Sequence, residues 1–274
     1  YNLDYIVKTY IIKKLSETDK SQLFDFYKKV YGNVQKSFIE NIKWYYRIGY
    51  NSFEPIVIIV NNQIIGHAGL IPNDIRLQDQ KYSAVWFTDF IILPEYRAIG
   101  YGKILTLEWM KICTHQITFC NNKSLSLFKK LNWKNNSSIS RKIYPINYFS
   151  TMPLLKSFRI SLGNNLIRYF LKKKLIHTKS IIPVQISERL IRELIKPNQK
   201  FEKNKATLVR DENWFRWRLI ESPYKKDLFF FEENNEFIIC HIFKYKNLKR
   251  LHILYTNSIN REKNIFDTVI KWSI

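Results

Sequence analysis

Along the first 140 residues, apolar positions spaced two apart give way repeatedly to apolar positions spaced three and four apart, as in a chain that lays helices on a sheet. "YIVKTYIIKKL" predicts a strand, and "TDKSQLFDFYKKVYG" a helix that Thr18 or Asp19 can cap and Gly32 can end. "FIENIKWYYRIGY" predicts one further helix, with Phe38, Ile42, Tyr45 and Tyr46 at helical spacing and Gly49 near its end. "PIVIIVNNQIIGHAGLI" predicts two strands joined by a tight Asn61-Asn62 turn. A return at "LQDQKY" leads into the apolar run "AVWFTDFIIL", of strand length. "GYGKILTLEWMKICT" then predicts a long helix, "QITFC" a strand, "NKSLSLFKKLNW" a helix and "SSISRKIYPI" a last strand. The expected order is strand, two helices, three antiparallel strands, helix, strand, helix, strand, a mixed α/β fold.

Beyond this the pattern changes, then returns. Pro153, Pro183 and Pro197 punctuate basic, helix-prone stretches such as "PLLKSFRISLGNNLIRYFLKKKLI". Its Leu154, Leu155, Phe158, Leu162, Ile167 and Phe170 suit either an anionic membrane surface or an internal packing stripe. "ENWFRWRLIESPYKKDLFFFEENNEFIICHIFKY" then repeats the plan of "NIKWYYRIGYNSFEPIVIIVNNQIIGHAGLI": an aromatic helix with Trp and Arg, a loop with Pro, and two apolar strands around an Asn turn. "RLHILYTN" predicts another strand and "NIFDTVIKWSI" a helix. Trp214, Phe215, Trp217 and Phe229 to Phe231 read as core at this spacing, or as stacking platforms for bases or sugars. Three regions follow: 1–145, 146–210 as a basic helical connection, and 211–274 as an incomplete second half.

Composition narrows the class. With 46% hydrophobic and 16% aromatic residues, the chain of 274 residues is globular rather than disordered. No apolar run reaches membrane-spanning length. The chain begins at Tyr1 with no signal-peptide pattern, so some original N-terminal residues are expected to be missing and the cytoplasm is the expected compartment. Cys113, Cys120 and Cys240 form no C-x-x-C pair, and the five histidines no H-x-x-x-H pair, which argues against a disulfide framework and against a metal site. The net charge of +22 goes with a general Lys, Asn, Ile, Phe and Tyr bias. Residues 141–210 nevertheless hold 16 Lys/Arg against 3 Glu, so an acidic partner is expected there. Nucleic acid is the weaker reading, as is a peripheral membrane contact.

"PEYRAIGYGKIL" places two of the seven glycines within three positions, between a strand and a helix. Such a loop can turn several N–H groups toward one point at a helix N-terminus, where phosphate binds, or it can be a plain structural turn. Ile92, Pro94, Arg97, Gly100 and Gly102 closely resemble the acetyl-CoA-binding motif of the GNAT superfamily of acyl-CoA-dependent N-acyltransferases. Asn121, Ser124, Leu127, Phe128, Asn132 and Trp133 resemble a second motif of that superfamily, and the element order is also similar to it over roughly residues 5 to 145.

The resemblance implies roles. Backbone groups of Ile91, Ile92 and Leu93 would meet the pantetheine arm of acetyl-CoA. N–H groups of Ala98, Ile99, Gly100, Tyr101, Gly102 and Lys103 would hold its pyrophosphate, with Arg97 shaping the loop. Asn121 and Ser124 would border the far side. Direct attack of an amine acceptor on the thioester needs a base. Asp89, on the strand entering the motif, is the nearest carboxylate, although it also reads as a hydrogen-bonded strand residue facing a helix. His67, on the adjacent predicted strand, is the second candidate, or a half-buried hydrogen-bonder. Phe128 stands where the family often has a Tyr acid, which leaves Tyr101, water or an unassisted thiolate, or else a module that binds CoA without turnover. The C-terminal copy lacks the Arg and both glycines and would complete a substrate cleft or a dimer contact. The basic segment favours an anionic small-molecule acceptor, such as a nucleotide-linked amino sugar.

Overall fold

The computed structural model describes residues 9–32, 35–120, 122–134, 183–184, 186–195, 206–233, 236–245, 248–256 and 269. Asn121, the stretch 153–176, the strand expected from Ser137 and all of the C-terminal helix except Val269 lie outside them.

Contacts divide the chain into two units, one of Tyr1–Asn135 with Phe201–Trp217, the other of Asn136–Lys200 with Arg218–Ile274. In the first, β1 (Tyr10–Lys14), β2 (Ile56–Val60), β3 (Gln63–Leu77), β4 (Gln80–Ile92) and β5 (His115–Thr118) are neighbours in that order. All pairs are antiparallel except β4 with β5. Asn61 and Asn62 take φ of 47° and 60°, and Gln78 and Asp79 take 50° and 65°, so both hairpins close with left-handed pairs that match the strand twist.

Helix α1 (Lys20–Tyr31) starts at Asp19, whose carboxylate accepts from the N–H of Ser21 and Gln22, and ends at Gly32 with φ 58°. The single helix expected next is instead two, α2 (Gln35–Glu40) and α3 (Ile42–Tyr45). At the break, Asn41 takes φ −105° and its side chain donates to the Ser37 carbonyl at 2.9 Å, a local bond that competes with the helix ladder. Helices α4 (Tyr101–Met110) and α5 (Asn122–Lys130) complete the series.

The sheet separates two apolar clusters. Ile56, Ile58, Val85, Phe87 and Ile92 meet Tyr101, Leu105 and Trp109 of α4 and Phe128 of α5. Val57, Ile59, Ile64 and Leu93 meet Phe26 and Tyr27 of α1 and Tyr46 after α3. The period-2 alternation of β2 sends successive side chains into these two layers.

Residues 206–217 join this unit. Strand β6 (Thr207–Leu208) pairs with Arg76 and Ile75 of β3, and Val209 N–H donates to the Asp74 carbonyl at 2.8 Å. The helix Glu212–Phe215 and a π-helical turn at Arg216–Ile220 follow. Trp44 and Trp217 each donate an indole N–H to the other's carbonyl oxygen, both at 2.8 Å. The Arg47 guanidinium lies 3.5 Å above the Tyr50 ring and 4.9 Å from that of Trp217. Lys81 pairs with Asp74 at 2.8 Å and with Asp211 at 3.7 Å.

In the second unit, β7 (Leu228–Glu233), β8 (Glu236–Tyr245) and β9 (Leu248–Thr256) form an antiparallel sheet. Phe231, Ile238, Cys240 and Val269 form its buried cluster. Phe215 and Phe231 are fully buried, which is a core placement for both. Among the described residues, no helix is long and apolar enough to cross a membrane, and no His, Cys, Asp and Glu group forms a metal-binding cluster.

Candidate active site

The quoted loop connects β4 to α4. A 3-10 turn at Pro94–Tyr96 leads to Arg97, whose Nε donates to the Ile92 carbonyl at 2.9 Å and ties the loop to the strand end. Ala98 and Gly100 take φ of 62° and 107°, and Gly100 caps α4 from the left-handed region. A side chain is strained there whatever the space, although a Cβ would meet nothing within 4 Å. The N–H groups of Lys103 and Ile104 are spent on the Gly100 carbonyl, at 3.0 and 3.1 Å. Those of Ala98, Ile99, Gly100, Tyr101 and Gly102 have no backbone acceptor among the described residues and sit at the positive end of the helix. The loop fits an oxyanion held on main-chain N–H groups.

Strand β4 supplies the second part. Its parallel pairing with β5 runs from Ala84↔His115 to Phe87↔Thr118, where β5 ends, while β4 continues to Ile92. No described strand pairs with that edge from residue 88 onward, and alternation turns Ile92 to that open side, where its carbonyl accepts from Arg97, while Ile91 faces β3 opposite His67. Leu93 N–H, by contrast, is held by the Ile65 carbonyl at 2.8 Å.

A bulge interrupts β4. Register runs His67↔Ile91 and then Gly69↔Thr88, so Asp89 and Phe90 stand opposite Ala68 alone. Asp89 has φ 47°. The bulge reverses the alternation: Val85 and Phe87 face the α4 layer, and so do Phe90 and Ile92. Thr88 and Asp89 are therefore both turned toward α1 and α3. The Tyr46 hydroxyl donates to Asp89 Oδ2 at 3.1 Å and the Thr88 hydroxyl at 3.3 Å, and the Tyr45 and Tyr31 hydroxyls add to the polar surroundings that favour its charged form. Burial pushes the Asp89 pKa up, and the hydroxyl donors oppose that shift. On the opposite face, a Cβ at Gly102 would lie 3.6 Å from the Phe90 ring, so the start of α4 backs directly onto the bulge.

His67 is 0% exposed, and burial lowers its pKa to about 4. Its Nδ1–H donates to the Asp89 carbonyl at 3.0 Å, since a carbonyl can only accept. Among the described residues its Nε2 is buried without a partner, and the ring lies between those of Tyr27 and Tyr46, at 5.6 and 5.3 Å. An imidazole so enclosed contacts Asp89, not solvent.

Tyr101 is buried in the α4 layer, with its ring 6.2 Å from that of Tyr96. Phe128 is 3% exposed and packs on Phe87 and Trp133, at 5.4 and 4.7 Å. Ser124 lies half-buried on α5. Sequence reasoning missed Tyr31, Tyr45 and Tyr46 as the carboxylate's partners. The signal available was the strand pair Gly66 and Gly69, which marks close backbone approach. A Cβ on Gly69 would lie 2.7 Å from the Thr88 carbonyl and 2.8 Å from the Tyr46 ring.

No curated protein sequence matches the chain. Among solved structures, a GCN5-related N-acetyltransferase from Kribbella flavida superposes on 97% of the chain with a TM-score of 0.56 at 7% identity. The chain spans 61% of that protein's length, and the likeness is one of fold. Glucosamine-6-phosphate N-acetyltransferase from Arabidopsis thaliana matches 50% of the chain and 99% of its own length, with 17% identity and a TM-score of 0.39. A predicted acetyltransferase from Clostridium acetobutylicum, solved with acetyl-CoA, matches 50% of the chain and 97% of its own length, with 12% identity and a TM-score of 0.39. The model of the Acetyltransferase (GNAT) family matches residues 20–133, which span α1 to the end of α5 and contain both the glycine loop and the Asp89 bulge. Residues 20–133 are thus a GNAT-family acetyltransferase domain.

Proposed function

We propose that the protein is an N-acyltransferase with acetyl-CoA as donor and a small amine as acceptor. The observation that carries this reading is one strand with two equipped sides. The bulge of β4 turns Asp89 to one face of the sheet, while the other face backs the loop whose N–H groups from Ala98 to Gly102 suit a pyrophosphate. Bound there, acetyl-CoA supplies an activated acetyl group. The chain's own residues hold the donor, orient the acceptor and take up the amine's proton, with Asp89 as base. No covalent enzyme intermediate is needed. Phe128 offers no hydroxyl, so the departing thiolate leaves without a proton from that position.

An anionic amine, such as an amino sugar carrying phosphate, is the acceptor class that the 16 Lys/Arg of residues 141–210 favour. The second unit reads as a degenerate GNAT-like half, because β7 to β9 repeat the antiparallel plan of β2 to β4. Free thiols at Cys113, Cys120 and Cys240 suit a reducing compartment such as the cytoplasm. Phe128 also motivates a second reading, a module that binds CoA without turnover.

Titration calorimetry with acetyl-CoA tests the donor site in the intact protein and in Gly102→Glu. The backbone of Gly102 tolerates a side chain, and a carboxylate in the first helical turn is itself favourable, so the variant folds. Its carboxylate competes for the same N–H groups. Micromolar binding that disappears in the variant is expected. Equal binding by both proteins moves the donor elsewhere. Binding without transfer to any amine in a broad screen favours the non-catalytic reading.

A further inference from the structure

We propose that His67 is a positioning residue, whose Nδ1–H on the Asp89 carbonyl holds the β4 bulge in the form that carries the carboxylate to the tyrosines of α1 and α3. The inference rests on the reading of Asp89 as the base, but its geometry stands independently of that reading.

Three observations converge. Asp89 occupies the left-handed region at φ 47°, where a non-glycine residue is disfavoured and persists only if its surroundings fix it. The bulge decides which face Asp89 serves. Val85 and Phe87 point into the α4 layer, and unbroken alternation would send residue 89 there too, away from Tyr46. Among the described residues, the side chain that bonds the Asp89 main chain is His67, at 3.0 Å, and it is 0% exposed. Its burial keeps the ring neutral, so it is a donor at Nδ1 and nothing else there. The ring is itself held between Tyr27 and Tyr46, with Gly69 leaving room for the Tyr46 edge. One imidazole thus couples the strand backbone to the aromatic cluster that the carboxylate enters.

Asn and Leu separate this role from simple packing. An Asn side-chain N–H can stand where Nδ1–H stands, whereas Leu fills the space without a donor. Nitrogen-15 NMR of the histidine rings in the intact protein reads the donor directly: a neutral Nδ1–H tautomer between pH 8 and 5 is expected, and an Nε2–H tautomer overturns the proposal. Carbon-13 NMR of the Asp89 carboxyl then compares the wild type, His67→Asn and His67→Leu. The Asn variant is expected to keep the wild-type titration and the Leu variant to shift it toward that of an exposed aspartate. Identical titrations in all three overturn the proposal. If the Leu variant does not fold, a shifted titration in a folded Asn variant overturns it, and an unchanged one supports it. In transferase assays, kcat is expected to fall roughly 10- to 100-fold in Leu and less than about 3-fold in Asn, with acetyl-CoA affinity unchanged in both. A wild type inactive with every amine removes the functional reading, while the two NMR measurements still decide where His67 donates.

Discussion

The Asp89 carboxylate is the least comfortable group in the site. Its pKa is raised, so the folded state binds this proton more tightly than the unfolded chain does; that contribution is present at low pH and is lost as pH rises past the folded value. Asp89→Asn is therefore expected to raise Tm at pH 7.5 while lowering kcat roughly 100-fold or more, a trade that calorimetry and a transferase assay would measure together. A variant that loses stability at pH 7.5 argues against a strained carboxylate. His67 acts with the opposite sign. Its pKa falls from 6.5 to about 4 on folding, so the unfolded chain binds more protons between those values. Its contribution is complete above pH 6.5 and is lost as pH falls toward 4, to the extent of about 3 kcal/mol. His67→Asn should flatten urea-measured stability across that window. At this scale the sequence offered the carboxylate and the imidazole as neighbours on two strands, which is where they lie. It offered each as a base or as a hydrogen-bonder, but not the bulge that joins them, because period 2 alone sends residue 89 to the same face as Phe87, and the extra residue that reverses the count leaves no mark on composition.

Among the elements, the junction of α3 with residues 206–217 is the one whose strength is most easily probed. Trp217 is 6% exposed, exchanges two hydrogen bonds with Trp44 and covers Arg47, which is itself 6% exposed. Trp217→Ala should cost roughly 3–5 kcal/mol, read by urea denaturation of the intact chain. A cost below about 1 kcal/mol would show that the segment only rests on the sheet. Gly69→Ala should be similarly harmful for a different reason. A methyl group 2.7 Å from the Thr88 carbonyl must move a strand backbone or the Tyr46 ring, and both belong to the bulge. Strand and helix order was readable because the two periods differ so clearly, and the Asn61-Asn62 turn because asparagine tolerates the left-handed region. The split at Asn41 and the docking of residues 206–217 were not. A side-chain bond to Ser37 does not change apolar spacing, and Trp217 has the same helical spacing whichever sheet receives it.

For the whole molecule, the dominant long-range term is the net charge of +22. Self-repulsion of that size opposes the compact state and is screened by salt over a Debye length of about 10 Å at 0.1 M. Raising NaCl from roughly 20 to 300 mM should therefore raise Tm, and an unchanged Tm would mean that the charges are already locally compensated. The glycine loop, its position after β4 and the family pattern were legible because the motif is written in consecutive residues. The cluster around Asp89 was not, because it is assembled from α1, α3, β3 and β4. The connectivity of the first unit also bears on how the protein is made. Its sheet is completed by β6 and its outer layer by Trp217, about 80 residues after α5. A ribosome adding about 5–20 residues per second leaves the nascent domain unfinished for several seconds after its family motifs have been synthesised. During that interval the paired hydrogen bonds between Trp44 and Trp217 have yet to form, so the junction at α3 closes only late in synthesis.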